Sequence, residues 1–260
     1  MDYHQLKKLL EQKFEQFNQK AFIKDDPISI PHQFQKKQDI EIMGFFASIF
    51  AWGQRKTIIN KCIELIDRME GEPYGFVLNL DEHKLKKLLG FKHRTFNDSD
   101  LLCVVQFFNF HYSEFESFED AFLIGFSENE PWKIEKSLIN FRDYFFSTVD
   151  FLPRTKKHIS SPAQNSACKR LCMFLRWMVR KDDAGVDFGL WERIPMSGLV
   201  CPCDLHVTRV AQKLGLIQDE VANWKTALLL TEKLRYLDPY DPVKYDFSLF
   251  GMGLEMRYHL

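Results

Sequence analysis

The sequence predicts an all-α protein, and three observations carry that prediction. Only 12 glycines and 10 prolines occur in 260 residues, about 8% where ~12% is usual, which is too little punctuation for many short strands. Apolar residues recur at i, i+3 and i+4 along most of the chain, the period of a helix that buries one face. The longest uncharged apolar run, Ile42 to Gly53, has 12 residues; that suits a buried core helix and is too short to cross a bilayer. A chain of this length can bury a core without disulfides or metals, as one large domain or two small lobes. Hydrophobic residues at 45% and charged residues at 27% exclude a disordered or collagen-like chain. The 25 phenylalanines point to a core packed by aromatic rings.

The elements follow in order. Leu6, Leu9, Leu10, Phe14 and Phe17 predict a helix over residues 2–22, and a loop with Pro27 and Pro31 comes next. Asp39 is expected to cap an apolar helix through Phe45, Phe46, Ile49 and Phe50 that ends at Gly53. Gly53-Gln54-Arg55 is the expected turn into a second helix from about Thr57, with Ile58, Ile59, Cys62, Ile63 and Ile66 inward. Helices are expected near 80–89, 98–112, 115–124 and 130–147. The segment from Phe151 to Ser166, holding Pro153 and Pro162, is irregular and basic. A helix from about Ser166 to Lys181 then places Leu171, Phe174, Leu175 and Met178 on one side and Lys169, Arg176 and Arg180 on the other. After a loop with Gly185, Gly189 and Gly198, Asp204 stands where an N-cap belongs, ahead of Val207, Val210, Ala211 and Leu214, and Gly215 closes that helix. Two more helices are expected near 221–236 and 242–250, the second started by Asp241-Pro242.

Charge is unevenly spread. Residues 154–181 carry Arg154, Lys156, Lys157, Lys169, Arg170, Arg176, Arg180 and Lys181 and no acid, a window of +8 that leaves −9 elsewhere against a total of −1. Such a zone suits an anionic partner. The N-terminal Met1-Asp2-Tyr3-His4 leads into a charged helical pattern without an apolar leader core, so the expected compartment is the cytoplasm. The six cysteines there are expected to be thiols. Cys201-Pro202-Cys203 with His206 and Cys172 could be imagined around zinc, but no second matching pair is present, and no metal is expected.

Two residues carry the candidate chemistry. Lys169 falls in the first turn of its helix, where the positive end of the dipole favours the neutral amine a nucleophile must be. Asp204, as an N-cap, would be held ionised and oriented by backbone N–H groups.

Together these residues resemble the helix-hairpin-helix DNA glycosylases, the superfamily of endonuclease III and the 8-oxoguanine glycosylases. Lys169-Arg170-Leu171-Cys172-Met173-Phe174-Leu175 is similar to the family's helix that opens with the catalytic lysine. Cys203-Asp204-Leu205-His206-Val207-Thr208-Arg209-Val210 resembles its aspartate block, Val-Asp-Thr-His-Val-x-Arg-Val. Upstream, Phe45-Phe46-Ala47-Ser48-Ile49-Phe50-Ala51-Trp52-Gly53-Gln54 is similar to an early helix ending in a turn whose glutamine probes the gap left by a flipped base. The blocks keep the family's order across residues 39–215. The stretch 168–180 also resembles an uncharacterised bacterial family.

Some features depart from the pattern. Where the family has a Leu-Pro-Gly-Val-Gly hairpin, this chain has Ser161-Pro162-Ala163-Gln164-Asn165-Ser166-Ala167-Cys168 and no glycine. The 35-residue interval from Lys169 to Asp204 is longer than in endonuclease III and closer to the archaeal 8-oxoguanine glycosylase branch. No counterpart of the Cys-rich iron–sulfur loop follows Asp204.

The resemblance implies a two-lobed helical fold with a central cleft: residues 1–38 packing with the C-terminal lobe, 39–160 as a central lobe, and 161–260 as the lobe with the catalytic helix. It implies a DNA glycosylase with AP lyase activity, acting on an oxidised purine such as 8-oxoguanine in double-stranded DNA. The protein would be a monomer needing no cofactor. Lys169 would attack the sugar, Asp204 would stabilise the developing cation, and His206 would support the aspartate. Gln54, Arg55, Arg170, Arg176, Arg180 and Arg209 would contact DNA. The alternative is a catalytically silent nucleic-acid-binding module on the same scaffold.

Overall fold

The computed structural model describes residues 2–147, 150–218 and 221–258. In chain order the helices are α1 (Tyr3–Phe17), α2 (Lys20–Ile23), α3 (Lys37–Phe50), α4 (Arg55–Arg68), α5 (Pro73–Leu78) and α6 (Glu82–Leu88). A two-stranded antiparallel hairpin, β1 (Lys92–His93) and β2 (Phe96–Asn97), precedes α7 (Asp98–Glu114) and α8 (Ile134–Ser147). The remainder is α9 (Lys169–Val179), α10 (Leu205–Lys213), α11 (Trp224–Leu237) and α12 (Tyr245–Tyr258). The fold is mainly α-helical, as the glycine and proline scarcity predicts. Among the described residues no helix is long and apolar enough to cross a membrane.

The chain forms two compact units, Ile23–Ser160 and Met1–Phe22 with Ser161–Leu260. Residues 23–38 thus belong with the central unit and not, as the sequence suggested, with the terminal one. The cause is burial: Ile28, in the 3-10 turn started by Pro27, and Ile30, between that turn and the one started by Pro31, are fully enclosed, and these turns pack on α3 and α4.

The central unit holds the aromatic core. Phe45, Phe46 and Phe50 of α3 meet Phe107 and Phe108 of α7, Phe118 and Phe122 of a 3-10 turn, and Phe141 and Phe145 of α8. The Phe122 and Phe141 rings stack 4.3 Å apart, and edge-to-face contacts such as Phe45–Phe118 are the arrangement that the ring quadrupole favours. The α3 start differs from expectation. The helix begins at Lys37 with Lys36 as N-cap, and Asp39 spends its carboxylate on the Tyr74 amide, 2.7 Å away, which ties α3 to α5.

In the terminal unit α1 and α10 both pack on α12. Leu10, Leu171, Phe174, Leu175, Val207 and Val210 are buried, as their spacing predicts. α9 is shorter than expected, because the turn before it and Arg180 after it are extended or left-handed.

Candidate active site

Two helix starts in the terminal unit bring the site together. α10 begins after Asp204, whose extended backbone and short side chain make it a true N-cap: Oδ1 accepts from the His206 and Val207 amides at 2.9 and 3.0 Å. Its other oxygen, Oδ2, is thereby aimed away from the helix. Lys169, the first residue of α9, donates from Nζ to that oxygen at 2.6 Å. Residues 35 apart in sequence thus form one ion pair, about a quarter to a third of which faces solvent. Burial alone would raise the Asp204 carboxyl. The Lys169 charge, its hydrogen bond and the two amides outweigh that and hold it below the usual range.

His206 meets Asp204 through its backbone N–H, while its side chain is exposed. Arg209 is likewise exposed, on α10. Arg170 is half-buried beside Lys169, and burial draws its guanidinium below the usual range, with Cys168 opposing. Gln54 and Arg55 lie in the central unit, where Gln54 is the N-cap of α4 and makes no side-chain cap bond.

Arg176 and Arg180 correct the expectation of a phosphate-facing surface. They share a helix face with Lys169, as the wheel predicts, but that face is covered: Arg176 is 4% exposed and Arg180 1%. Arg176 bonds Asp187 at 3.3 Å and also Asp246 of α12. Arg180 reaches Asp182 at 2.7 Å, Asp187 at 3.1 Å and Asp241 at 2.9 Å. The acid-free window ended at residue 181, and three aspartates follow at 182, 183 and 187. Two of those three neutralise the arginines from outside the window.

Sequence reasoning missed Asp246. It stands in the first turn of α12, pairs with Arg176, and interacts electrostatically with Lys169 and Asp204. Burial drives its carboxyl up to about 6, against the pull of Arg176 and Lys169. Only an Asp-Pro helix start marked this region in the sequence, and nothing local connected it to a lysine 77 residues earlier.

The turn leading into Lys169 dispenses with glycine by other means. Asn165 (φ 54°) and Cys168 (φ 48°) adopt the left-handed conformation, asparagine being among the few non-glycine residues that visit it readily. Ser166 pairs with Asn223 in an isolated bridge, and the Ser166 hydroxyl accepts the Cys168 amide at 3.2 Å.

A family model described as a protein of unknown function (DUF2400) matches residues 26–255. The chain belongs to the DUF2400 family. No curated protein and no solved structure matches it. The DUF2400 match runs from before α3 into α12 and includes Lys169, Asp204 and Asp246. All six cysteines of this DUF2400 chain are buried thiols. Burial pushes the Cys203 thiol up to about 12 and raises that of Cys201 well above its ordinary value, so these groups resist forming thiolates. Among the described residues no three His, Cys, Asp or Glu side chains gather as a metal site would need.

Proposed function

We propose that this DUF2400 protein is a DNA base-excision glycosylase with AP lyase activity, using Lys169 as nucleophile and Asp204 as electrostatic partner. The observation that carries the reading is the 2.6 Å contact between a primary amine opening α9 and an N-cap carboxylate opening α10. These are the two blocks whose sequence resembles the glycosylase superfamily. An amine is required because only it can form an imine with an aldehydic sugar carbon.

In this reading a damaged base leaves the stack, since its glycosidic bond is out of reach inside a duplex. Positive charge develops on the sugar as the C1′–N bond lengthens, and the fixed Asp204 carboxylate stabilises it. In the resting pair the ammonium donates to Asp204. Attack needs the free amine, so the extra ammonium proton is relayed past Oδ2 to the departing base, which leaves Asp204 ionised as the sugar charge develops. The Nζ–C1′ bond forms as the base takes the glycosidic electron pair. As the C1′–O4′ bond breaks, a proton moves from the bonded Nζ to O4′, leaving a protonated imine at C1′. Water then takes a C2′ proton, and the electron pair released expels the 3′ phosphate and nicks the strand. An oxidised purine such as 8-oxoguanine remains the favoured base class, by resemblance to the archaeal branch.

The catalytically silent alternative is favoured by one feature: Lys169 Nζ lies 2.6 Å from Asp204 and must leave that carboxylate before it can reach a sugar carbon. One assay separates the two readings. Duplexes each carrying one defined lesion or an abasic site are incubated with protein, with and without borohydride, which reduces an imine to a stable adduct. A covalent adduct and strand scission, both abolished in Lys169→Gln with DNA binding retained, are expected. Binding without adduct on any duplex supports the silent module, and an adduct that persists in Lys169→Gln overturns the assignment of Lys169.

A further inference from the structure

The central unit gathers cations that the sequence scattered. Three segments, 52–56, 92–97 and 151–158, carry Arg55, Lys56, Lys92, Arg94, Arg154, Lys156 and Lys157 and no acid. They are far apart along the chain, but hydrogen bonds join them. Arg94, at the tip of the β1–β2 hairpin, donates from Nη1 to the Trp52 carbonyl at 3.1 Å. Arg154 donates to the Thr95 carbonyl and, at 2.7 Å, to Asn97 Oδ1 of the same hairpin. The third segment is fixed from beneath by Asp100, which is buried and accepts from Thr155 at 2.7 Å while pairing with Arg154 at 3.0 Å. His93 secures the hairpin to the end of α3, its Nε2 lying 3.0 Å from the Phe50 carbonyl.

Within this assembly one large apolar ring faces outward. Trp52 is 45% exposed, and the Arg94 guanidinium lies over it, 4.4 Å from the ring, a cation–π contact. The backbone is shaped for that contact. Gly53 has φ +120°, and a Cβ there would meet Arg94 Nη1 at 2.2 Å, while Arg94 itself is left-handed at φ 55°. Lone exposed apolar residues need no explanation. A tryptophan braced by an arginine, on a ridge with exposed Lys56, Lys92, Lys156 and Lys157, combines the two features by which proteins hold nucleic acids: an aromatic face for a base and cations for the backbone.

We propose that this ridge of the central unit is a DNA-binding surface, on which the Trp52–Arg94 pair stacks against an unpaired base while Lys92, Lys156 and Lys157 hold the flanking phosphates. The inference shares with the proposed function the premise that DNA is the partner, and needs none of its chemistry. It also relocates the basic character of residues 154–181: Arg176 and Arg180 are internal, and the lysines at 156 and 157 combine with segments 52–56 and 92–97.

The test uses the full chain and fluorescein-labelled duplexes, one fully paired and one with a single bulged base, read by anisotropy across a salt series. The wild type should prefer the bulged duplex. Trp52→Ala should weaken bulged-duplex binding by about 10-fold and erase most of the preference, while Trp52→Phe retains it. Lys156→Ala with Lys157→Ala should weaken both duplexes alike and reduce the log–log salt slope by about 0.9 for each phosphate no longer neutralised. These residues are exposed, so unchanged melting curves should accompany the weaker binding. Trp52→Ala and the double lysine variant binding like wild type would overturn the ridge while leaving borohydride trapping at Lys169 untouched. Loss of binding in the ridge variants with no trapping by the wild type would sustain the ridge and remove the chemistry. A wild type that binds neither duplex overturns both.

Discussion

Removing Arg180 distinguishes a buried lock from a DNA contact. The guanidinium is 1% exposed, lies within 3.1 Å of three carboxylates, those of Asp182, Asp187 and Asp241, and sits 5.2 Å from the Phe14 ring centre. Arg180→Ala removes the guanidinium that those carboxylates share, leaving only Arg176 on Asp187, and breaking a buried ion pair by deleting one partner costs about 3–5 kcal/mol. At roughly 2–4 °C per kcal/mol for a chain of this size, the melting temperature should fall by about 6–20 °C. The deficit should depend on pH with a definite sign. Unpaired aspartates acquire raised folded-state pKa values, so the variant recovers stability as pH falls and loses it as pH rises. Calorimetry at pH 8 and pH 5 should therefore show a larger deficit at pH 8. Salt-dependent duplex binding, measured well below the transition, should keep the wild-type slope. A variant that melts within about 1 kcal/mol of wild type and binds with a slope shallower by about 0.9 would return Arg180 to the surface and refute the lock.

Asp204→Asn keeps an N-cap side chain while removing the charge that faces Lys169, so thermal stability should change by less than about 1 kcal/mol while borohydride trapping falls by orders of magnitude; equal trapping would reduce Asp204 to a cap. Asp246 should appear in carboxyl-carbon NMR as a resonance titrating near pH 6 that is absent from Asp246→Asn. Because its folded value lies above the ordinary 3.8, its contribution is fully present below pH 4 and is lost as pH rises to 6, on the order of 3 kcal/mol. Asp204 runs the other way: its lowered value gives stability that is present above pH 4 and is lost on further acidification.

What was legible in the sequence was whatever depends on local period or local chemistry. The buried face of α9 and the Asp204 cap follow from neighbours within one or two turns, and the aromatic core from the phenylalanine content. The β1–β2 hairpin was not legible, since two-residue strands carry no alternation and the left-handed position is held by Arg94 where glycine or asparagine would signal a turn. Asp39 had the residue type of a cap, but the chain enters α3 two residues earlier. For Arg176 and Arg180 the helix face was right and its environment was not: periodicity orders side chains around an axis and says nothing about what covers a polar face. Asp246 could not be placed because its relation to Lys169 exists only through the packing of α12.

That packing also explains how a partly exposed lysine keeps a fixed position. A surface ion pair holds two flexible side chains weakly, contributing about 0–1 kcal/mol, so the Lys169–Asp204 contact cannot hold its own geometry. Its position is set from behind. Asp204 is oriented by two amides of its own helix, and α9 is anchored two and three turns beyond Lys169 by Arg176 and Arg180, whose aspartate partners come from the 182–187 loop, from Asp241 and from α12. The buried arginines thus act on the candidate site through the helix, fixing where the amine starts. The proposed nucleophile, which would have to leave its carboxylate to reach a sugar carbon, would need both rigid helix ends and an ion pair weak enough to open.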